Sequence, residues 1–199
     1  MNTFIKSLLV IAASLFVTIG TMAQNYSDPK YLSGAVPEEN GFVVFRQHYD
    51  CPGKTKAEIY DALSEYTTKN LLNSKVRLPQ CRITQATPEE GIIAASMEEA
   101  LTFKSTNWIL DTARFFFQVV FEAKDGGFDA MLRRIHYIYE PMEVHGVETG
   151  LTAEDWITDR EALNKKGQLR KVGGKKFRRA TIDRKDQLFG NAYKAVMNN

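Results

Sequence analysis

The fold of this chain is decided by residues 113–139, which read ARFFFQVVFEAKDGGFDAMLRRIHYIY. Two runs rich in aromatic and β-branched residues flank a short turn that contains Asp125, Gly126 and Gly127. Such runs predict β-strands, and a short turn that contains glycine predicts that they form a hairpin. Because an isolated hairpin is only marginally stable in water, the flanking segments must supply more strands and a helical cover.

The residue pattern leaves two registers open for this hairpin. A two-residue turn would bring to the face of Phe115 the side chains of Leu132, Arg134 and His136. A three-residue bulged turn would instead bring there the side chains of Met131, Ile135 and Tyr137. We favour the second register, because it hides more apolar area and leaves His136 off the core.

Residues 1–23 predict a cleaved signal peptide. A short start that carries Lys6 precedes an apolar run, and small residues at Thr21 and Ala23 favour cleavage after Ala23. The apolar run is shorter than the roughly 20 residues that a membrane-spanning helix requires. A lipid anchor would need a cysteine near the cleavage site, and the sequence has none there. We therefore expect a periplasmic or secreted protein that is not an integral membrane protein after cleavage.

The rest of the chain predicts one sheet domain and a helical C-terminal segment. Residues 24–40 read as an extended lead-in, and residues 41–145 as the sheet domain. In that domain, strands are expected at residues 41–48, 81–87 and 91–97, and a helix begins at Thr55, which forms a capping-box pattern with Glu58. Residues 146–199 are expected to add helices at 152–163 and 181–196 that pack on the same domain.

This order of elements predicts an α+β fold, a curved antiparallel sheet with helices packed on one face. The order, together with the turn and strand at residues 91–93 and the hairpin turn at residues 124–127, resembles an uncharacterised family found chiefly in Bacteroidetes. That family is domain of unknown function 4468, with a TATA-binding-protein-like fold. The resemblance covers about residues 41–140 and implies a TATA-binding-protein-like sheet in β-α-β-β-β-β order, which the C-terminal helices predicted above would follow, and a cell-envelope setting. No catalytic residues are established for that family, so the resemblance brings none to this chain.

Two cysteines, Cys51 and Cys81, lie on either side of the predicted helix. In an oxidising compartment they could form a disulfide, or they could remain two buried thiols, and their spacing leaves both possibilities open. No metal-ligand spacing surrounds either residue, and no motif indicates a cofactor.

The exposed face of the sheet is one candidate binding site. If the helices cover only one face, the other carries Phe116, Gln118, Val120 and Arg134, with His136 beside them. An open surface that is apolar with a polar rim commonly marks a partner or ligand site. The alternative is that the C-terminal segment, including Trp156, folds across this face and covers it.

The basic segment, residues 165–185, is a second candidate, with ten lysines and arginines against Asp183 alone. Arg178, Arg179 and Arg184 are its candidate ligand-binding residues. The export signal argues against nucleic acid, so the segment either meets an anionic lipid or glycan surface or is an ordinary solvated face.

Catalytic signatures are absent from the sequence, and its neighbouring carboxylates look like solvated surfaces. We therefore expect a non-enzymatic binding module of the cell envelope whose partner is a protein, a glycan or a lipid. The alternatives are a hydrolase of an envelope polymer and a structural assembly subunit. The sequence leaves the oligomeric state open.

Overall fold

The computed structural model describes residues 27–73, 80–105, 110–139 and 150–199. The predicted signal peptide lies outside these ranges. The strands, in chain order, are β1 (Glu38–Glu39), β2 (Phe42–Val43), β3 (Phe45–Asp50), β4 (Arg82–Thr87), β5 (Ile92–Ser105), β6 (Leu110–Lys124), β7 (Gly127–Ile138) and β8 (Gly150–Thr152). The α-helices are α1 (Lys56–Glu65), α2 (Ala153–Trp156), α3 (Asp159–Ala162) and α4 (Arg179–Asn198).

The main sheet is antiparallel, in the order β3-β7-β6-β5-β4, and β8 pairs with the end of β7. One π-helical stretch, Tyr66–Leu71, directly follows α1, and a second, Gly173–Arg178, directly precedes α4. The predicted α+β class and antiparallel sheet are confirmed, and so is the capping box of Thr55 and Glu58 at the start of α1. No helix in the described ranges is both long enough and apolar enough to cross a membrane.

The central hairpin, β6 and β7, combines parts of both expected registers. Its turn has two residues, because Lys124 pairs with Gly127, and the prediction of a three-residue turn is therefore wrong. A β-bulge follows at Arg134, whose φ is +55°, and it shifts the pairing by one residue. As a result Tyr137 pairs with Phe115 and is buried, as we expected, while His136 is exposed on the opposite face.

The inner face of the sheet forms the core under α1 and α4. Alternate residues of β6 point inward and are at most 3% exposed, namely Phe115, Phe117, Val119, Phe121 and Ala123. The Tyr66 hydroxyl, just after α1, donates a 3.1 Å hydrogen bond to the Leu188 carbonyl of α4. This bond joins the two helices that cover the inner face.

The C-terminal segment also packs on the inner face. Trp156 contacts Phe177 at 5.2 Å between ring centroids, and Phe177 in turn contacts the inward-pointing Tyr137 at 5.0 Å. The alternative in which Trp156 covers the outer face is therefore wrong. The helix expected at residues 152–163 is also interrupted, because Ile157 and Thr158 separate α2 from α3.

The two cysteines are buried free thiols, so the possibility of a disulfide is not realised. Cys51 follows β3 at one edge of the sheet, whereas Cys81 precedes β4 at the other edge. Four strand spacings of about 4.8 Å separate these edges, and a disulfide needs Cα atoms within about 7 Å. The helix between the cysteines in sequence thus connects strands that the topology keeps far apart.

Candidate functional site

The outer face of the sheet carries most of the predicted face residues. Phe116 and His136 stack with ring centroids 4.4 Å apart and an angle of 5° between the rings, and the Arg114 guanidinium lies 5.2 Å from the Phe116 centroid. Val120 is half-buried on the same face, whereas Arg134 sits apart, exposed at the bulge.

Hydrogen bonds across the outer face link its polar side chains to one another. Gln118 accepts from Arg133 Nε at 2.8 Å and donates to Thr84 Oγ1 at 3.2 Å. The Nε of Arg114 donates to the buried carboxylate of Glu98 at 2.7 Å. These three hydrogen bonds hold Gln118 and Arg114 to other strands of the sheet.

The basic segment is divided between the interior and the surface. Arg178 is fully buried, and its guanidinium donates to the carbonyls of Tyr31 and Ile157 at 2.7 Å each, to the carbonyl of Leu32, and to Asp159 at 2.7 Å. We call this group the Arg178 clamp. The expectation that Arg178 belongs to a ligand-binding surface is therefore wrong, since backbone carbonyls and a carboxylate use its donors.

Asp159 is the counter-ion of the clamp. Its carboxylate also accepts from the Ser33 hydroxyl and the Gly34 amide, at 2.8 Å each. Partial burial acts to raise the pKa of Asp159, but the hydrogen bonds from Gly34, Arg178 and Ser33 outweigh it and hold the pKa below its usual value. The lead-in and the C-terminal segment are thereby joined through one ionised carboxylate.

A basic cleft lies between the start of α4 and the ends of β5 and β6, and its volume is about 1060 Å³. It is lined by six basic residues, namely Lys104, Lys171, Lys175, Lys176, Arg179 and Arg184, and by two acidic ones, Asp111 and Asp183. Lys104 comes from β5, far from the basic segment in sequence. Lys104 could not be predicted as a cleft residue, because nothing in the local sequence pattern places the end of β5 beside α4.

The two acidic residues of the cleft are held by cations and tyrosines. Asp111 accepts from Lys176 Nζ at 2.6 Å and from the Tyr139 hydroxyl at 2.9 Å. Burial acts to raise the pKa of Asp111, but these two hydrogen bonds outweigh it and lower the pKa. Asp183 accepts from Lys30 Nζ at 2.7 Å and from the Tyr31 hydroxyl at 2.6 Å.

Arg184, one of the two predicted arginines that line the cleft, is held by a carboxylate and by an amide. Its Nε and one terminal nitrogen donate to the buried carboxylate of Glu99 at 2.7 and 2.8 Å, and its other terminal nitrogen donates to Gln187 at 2.7 Å. Arg179 is half-buried, and its guanidinium lies 5.3 Å from the centroid of the Tyr31 ring. With six basic side chains against two acidic ones, the lining of the cleft has a positive excess.

The charge of the cleft is complementary to that of an anion. Lys104, Lys171 and Lys175 are exposed at its walls, so their ammonium groups are accessible to a ligand. Across the described part of the chain, no cluster of three or more His, Cys, Asp and Glu side chains is arranged to hold a metal ion.

The fold defines a protein of the α+β class with a TATA-binding-protein-like sheet. Residues 45–138 match the family model described as a domain of unknown function (DUF4468) with TBP-like fold. A crystal structure of a DUF4468 family protein from Bacteroides ovatus is 34% identical, with a TM-score of 0.75, over 85% of this chain and 94% of that one. The chain belongs to the DUF4468 family.

A second crystal structure, of a TBP-like protein from Parabacteroides distasonis, has the same fold. It is 19% identical, with a TM-score of 0.64, and the match covers 82% of this chain and 98% of that one. No curated protein matches the chain.

Proposed function

We propose that this protein is an exported, non-enzymatic binding module of the bacterial cell envelope that holds an anionic ligand in its basic cleft. The observation that carries this proposal is the cleft of about 1060 Å³, where six basic side chains face two acidic ones. A ligand of opposite charge gains electrostatic free energy there, and the volume suits a molecule larger than a single ion.

Export is the part of the proposal that rests on sequence. The charged start, the apolar run and the small residues before Gln24 are typical of a cleaved signal. Anionic lipids and acidic glycans are ligand classes that an exported chain meets in an envelope. Nucleic acid is not among them, although the cleft alone would attract it as well.

The charge state of the cleft favours binding over hydrolysis of an envelope polymer. General acid catalysis needs a carboxyl group that stays protonated near neutral pH, and such a group has a raised pKa. Asp111 has a lowered pKa and is ion-paired to Lys176. Asp183 forms an ion pair with Lys30 at 2.7 Å. These carboxylates serve to balance charge and position lysines.

The test compares dextran sulfate with uncharged dextran of the same length, by calorimetry on the purified protein. We expect binding of dextran sulfate alone, weakened by added salt because salt screens exposed charges. The double variant Lys171→Glu with Lys175→Glu should bind at least tenfold more weakly. The matched control, Lys165→Glu with Lys166→Glu, makes the same charge change on the loop outside the cleft and should bind within twofold of the wild type.

Three outcomes would contradict the proposal. Equal losses in the cleft variant and in the control would show that only net charge matters, and binding of neutral dextran would remove the role of charge. A mass that doubles with concentration, without ligand binding, would favour an assembly subunit. Export is tested separately, by determining the first residue of the protein recovered from cells. We expect this residue to be Gln24.

A further inference from the structure

One side of α4 continues the basic cleft as a row of amide side chains. Positions three or four residues apart lie on the same side of a helix. Beyond Arg184, this side of α4 carries three amide side chains, Gln187, Asn191 and Asn198, with one lysine, Lys194, between the last two. The opposite side carries the residues that pack on the sheet, so the amide row faces away from the core.

The amide row lines a second cavity of about 650 Å³. Asn70, from the π-helical stretch after α1, contributes a further amide across from α4. The second cavity shares Leu101, Arg184 and Gln187 with the basic cleft. The two cavities therefore adjoin, and we call them together the α4 groove, which has a basic end and an amide end.

The two ends of the groove suit different chemical groups. Each amide side chain both donates and accepts hydrogen bonds, as a sugar hydroxyl does, so amides pair well with hydroxyls. Ammonium and guanidinium groups only donate, and they suit carboxylates, sulfates or phosphates. Arg184 stands at the junction, fixed by the Glu99 carboxylate and by Gln187.

The length of the groove excludes a small anion as its full occupant. From Arg184 to Asn198 the helix advances 14 residues, which is about 21 Å at 1.5 Å per residue. An inorganic ion or a single lipid headgroup would occupy the basic end and leave the amide end empty. A chain of linked sugars with acidic substituents would fill both ends.

We infer that the α4 groove binds an acidic oligosaccharide, with its acidic groups at the basic end and its hydroxyls along the amide row. This inference rests on the proposed function, because it uses the same basic cleft. It goes further by naming the ligand class and by assigning Asn70 and Asn191 as residues that select sugar.

The test measures binding by calorimetry with four probes. They are hexagalacturonate, which has a carboxylate on each sugar; maltohexaose, a neutral sugar chain of the same length; inorganic phosphate; and vesicles that contain phosphatidylglycerol. We expect hexagalacturonate to bind at least tenfold more tightly than any of the other three.

The amide end is tested with a variant and a matched control. Asn70→Ala with Asn191→Ala removes two exposed amides that line the groove, whereas Asn73→Ala with Asn199→Ala removes two exposed amides that do not. The first variant should weaken hexagalacturonate binding about tenfold, the effect expected for two lost hydrogen bonds. The control should bind like the wild type, and both variants should keep the wild-type melting temperature.

The outcomes separate the inference from the proposed function. If phosphate or the vesicles bind as tightly as hexagalacturonate, or if the amide variant binds like its control, the oligosaccharide inference is overturned while anion binding stands. If none of the three anionic probes binds, both fail. If maltohexaose binds as tightly as hexagalacturonate, the need for acidic groups is overturned, and the proposed function fails with it.

Discussion

The Arg178 clamp and the basic cleft are built from the same basic segment, but they differ in environment. Arg178 is fully buried, and its donors are used by three carbonyls and Asp159. Lys171, seven residues earlier, is exposed at the wall of the cleft. A buried charge must be matched by polar partners, whereas an exposed one is solvated by water. Burial and hydrogen-bond partners, rather than the sign of the charge, therefore decide the role of each basic residue.

The largest expected effect comes from breaking the clamp. Arg178→Met leaves Asp159 without its cation and three carbonyls without their donor, so we expect the free energy of unfolding to fall by about 3–5 kcal/mol. Urea unfolding measures this loss. Arg160→Met is the control, since Arg160 is 69% exposed and pairs with its sequence neighbour Glu161. This substitution should change the free energy of unfolding by less than about 0.5 kcal/mol. Similar losses of unfolding free energy in Arg178→Met and Arg160→Met would contradict the structural role of the clamp.

A second, smaller effect concerns the charge of Asp159. Asp159→Asn keeps the shape of the side chain but removes the counter-ion of Arg178. We expect it to lower the free energy of unfolding by about 2 kcal/mol at pH 7. The pKa of Asp159 is lower in the folded protein than in the unfolded chain. The ionised carboxylate of Asp159 therefore contributes fully to the free energy of unfolding above the unfolded-state pKa of about 3.9. This contribution is lost as the pH falls through the folded-state pKa.

Urea unfolding of the wild type and Asp159→Asn at several pH values checks this dependence. The gap in stability between the two proteins should be widest at neutral pH and should narrow steadily on acidification. A gap of constant size down to strongly acidic pH would mean that the shape of the side chain, and not its charge, is what holds the clamp.

Lys176 is intermediate between the buried Arg178 and the exposed Lys171. It lines the cleft, yet its side chain is only 31% exposed and is paired with Asp111. Lys176→Met should lower the free energy of unfolding by about 1 kcal/mol, between the values for a buried and a surface pair. Thermal and urea unfolding measure the change. A loss as large as that of Arg178→Met would place Lys176 in the clamp's class.

The smallest effect on stability is expected at Lys171. Lys171→Glu should change the free energy of unfolding by less than about 0.5 kcal/mol, because the side chain is exposed. The same substitution should weaken dextran sulfate binding, measured by calorimetry. Stability and binding would then respond in opposite ways at Arg178 and Lys171. A Lys171→Glu protein that unfolds easily would contradict the assignment of this residue to the surface.

Local patterns predicted the parts of this fold that depend on neighbours in sequence. The hairpin, the capping box of Thr55 and Glu58 and the amphipathic helix α4 are such features, since each follows from residue spacing. The bulge at Arg134 escaped prediction, because arginine has no preference for a positive φ and nothing in the local pattern marks where the strand pairing shifts.

The candidate site was harder to predict than the fold. The excess of positive charge at residues 165–185 was visible, but the partners of each residue were not. Arg178 meets Tyr31 across 147 positions of sequence, and Lys104 reaches the cleft from β5. Such contacts depend on the tertiary arrangement, which no local pattern encodes.

The long reach of the Arg178 clamp has a consequence for the order of events in folding. Its hydrogen bonds to the carbonyls of Tyr31 and Leu32 span 147 and 146 positions. Closing so long a loop has a high entropic cost, and contacts of this kind slow folding. A chain that ends before residue 178 therefore lacks the arginine that binds the carbonyls of Tyr31 and Leu32, and this part of the lead-in gains that anchor only when nearly the whole chain is present.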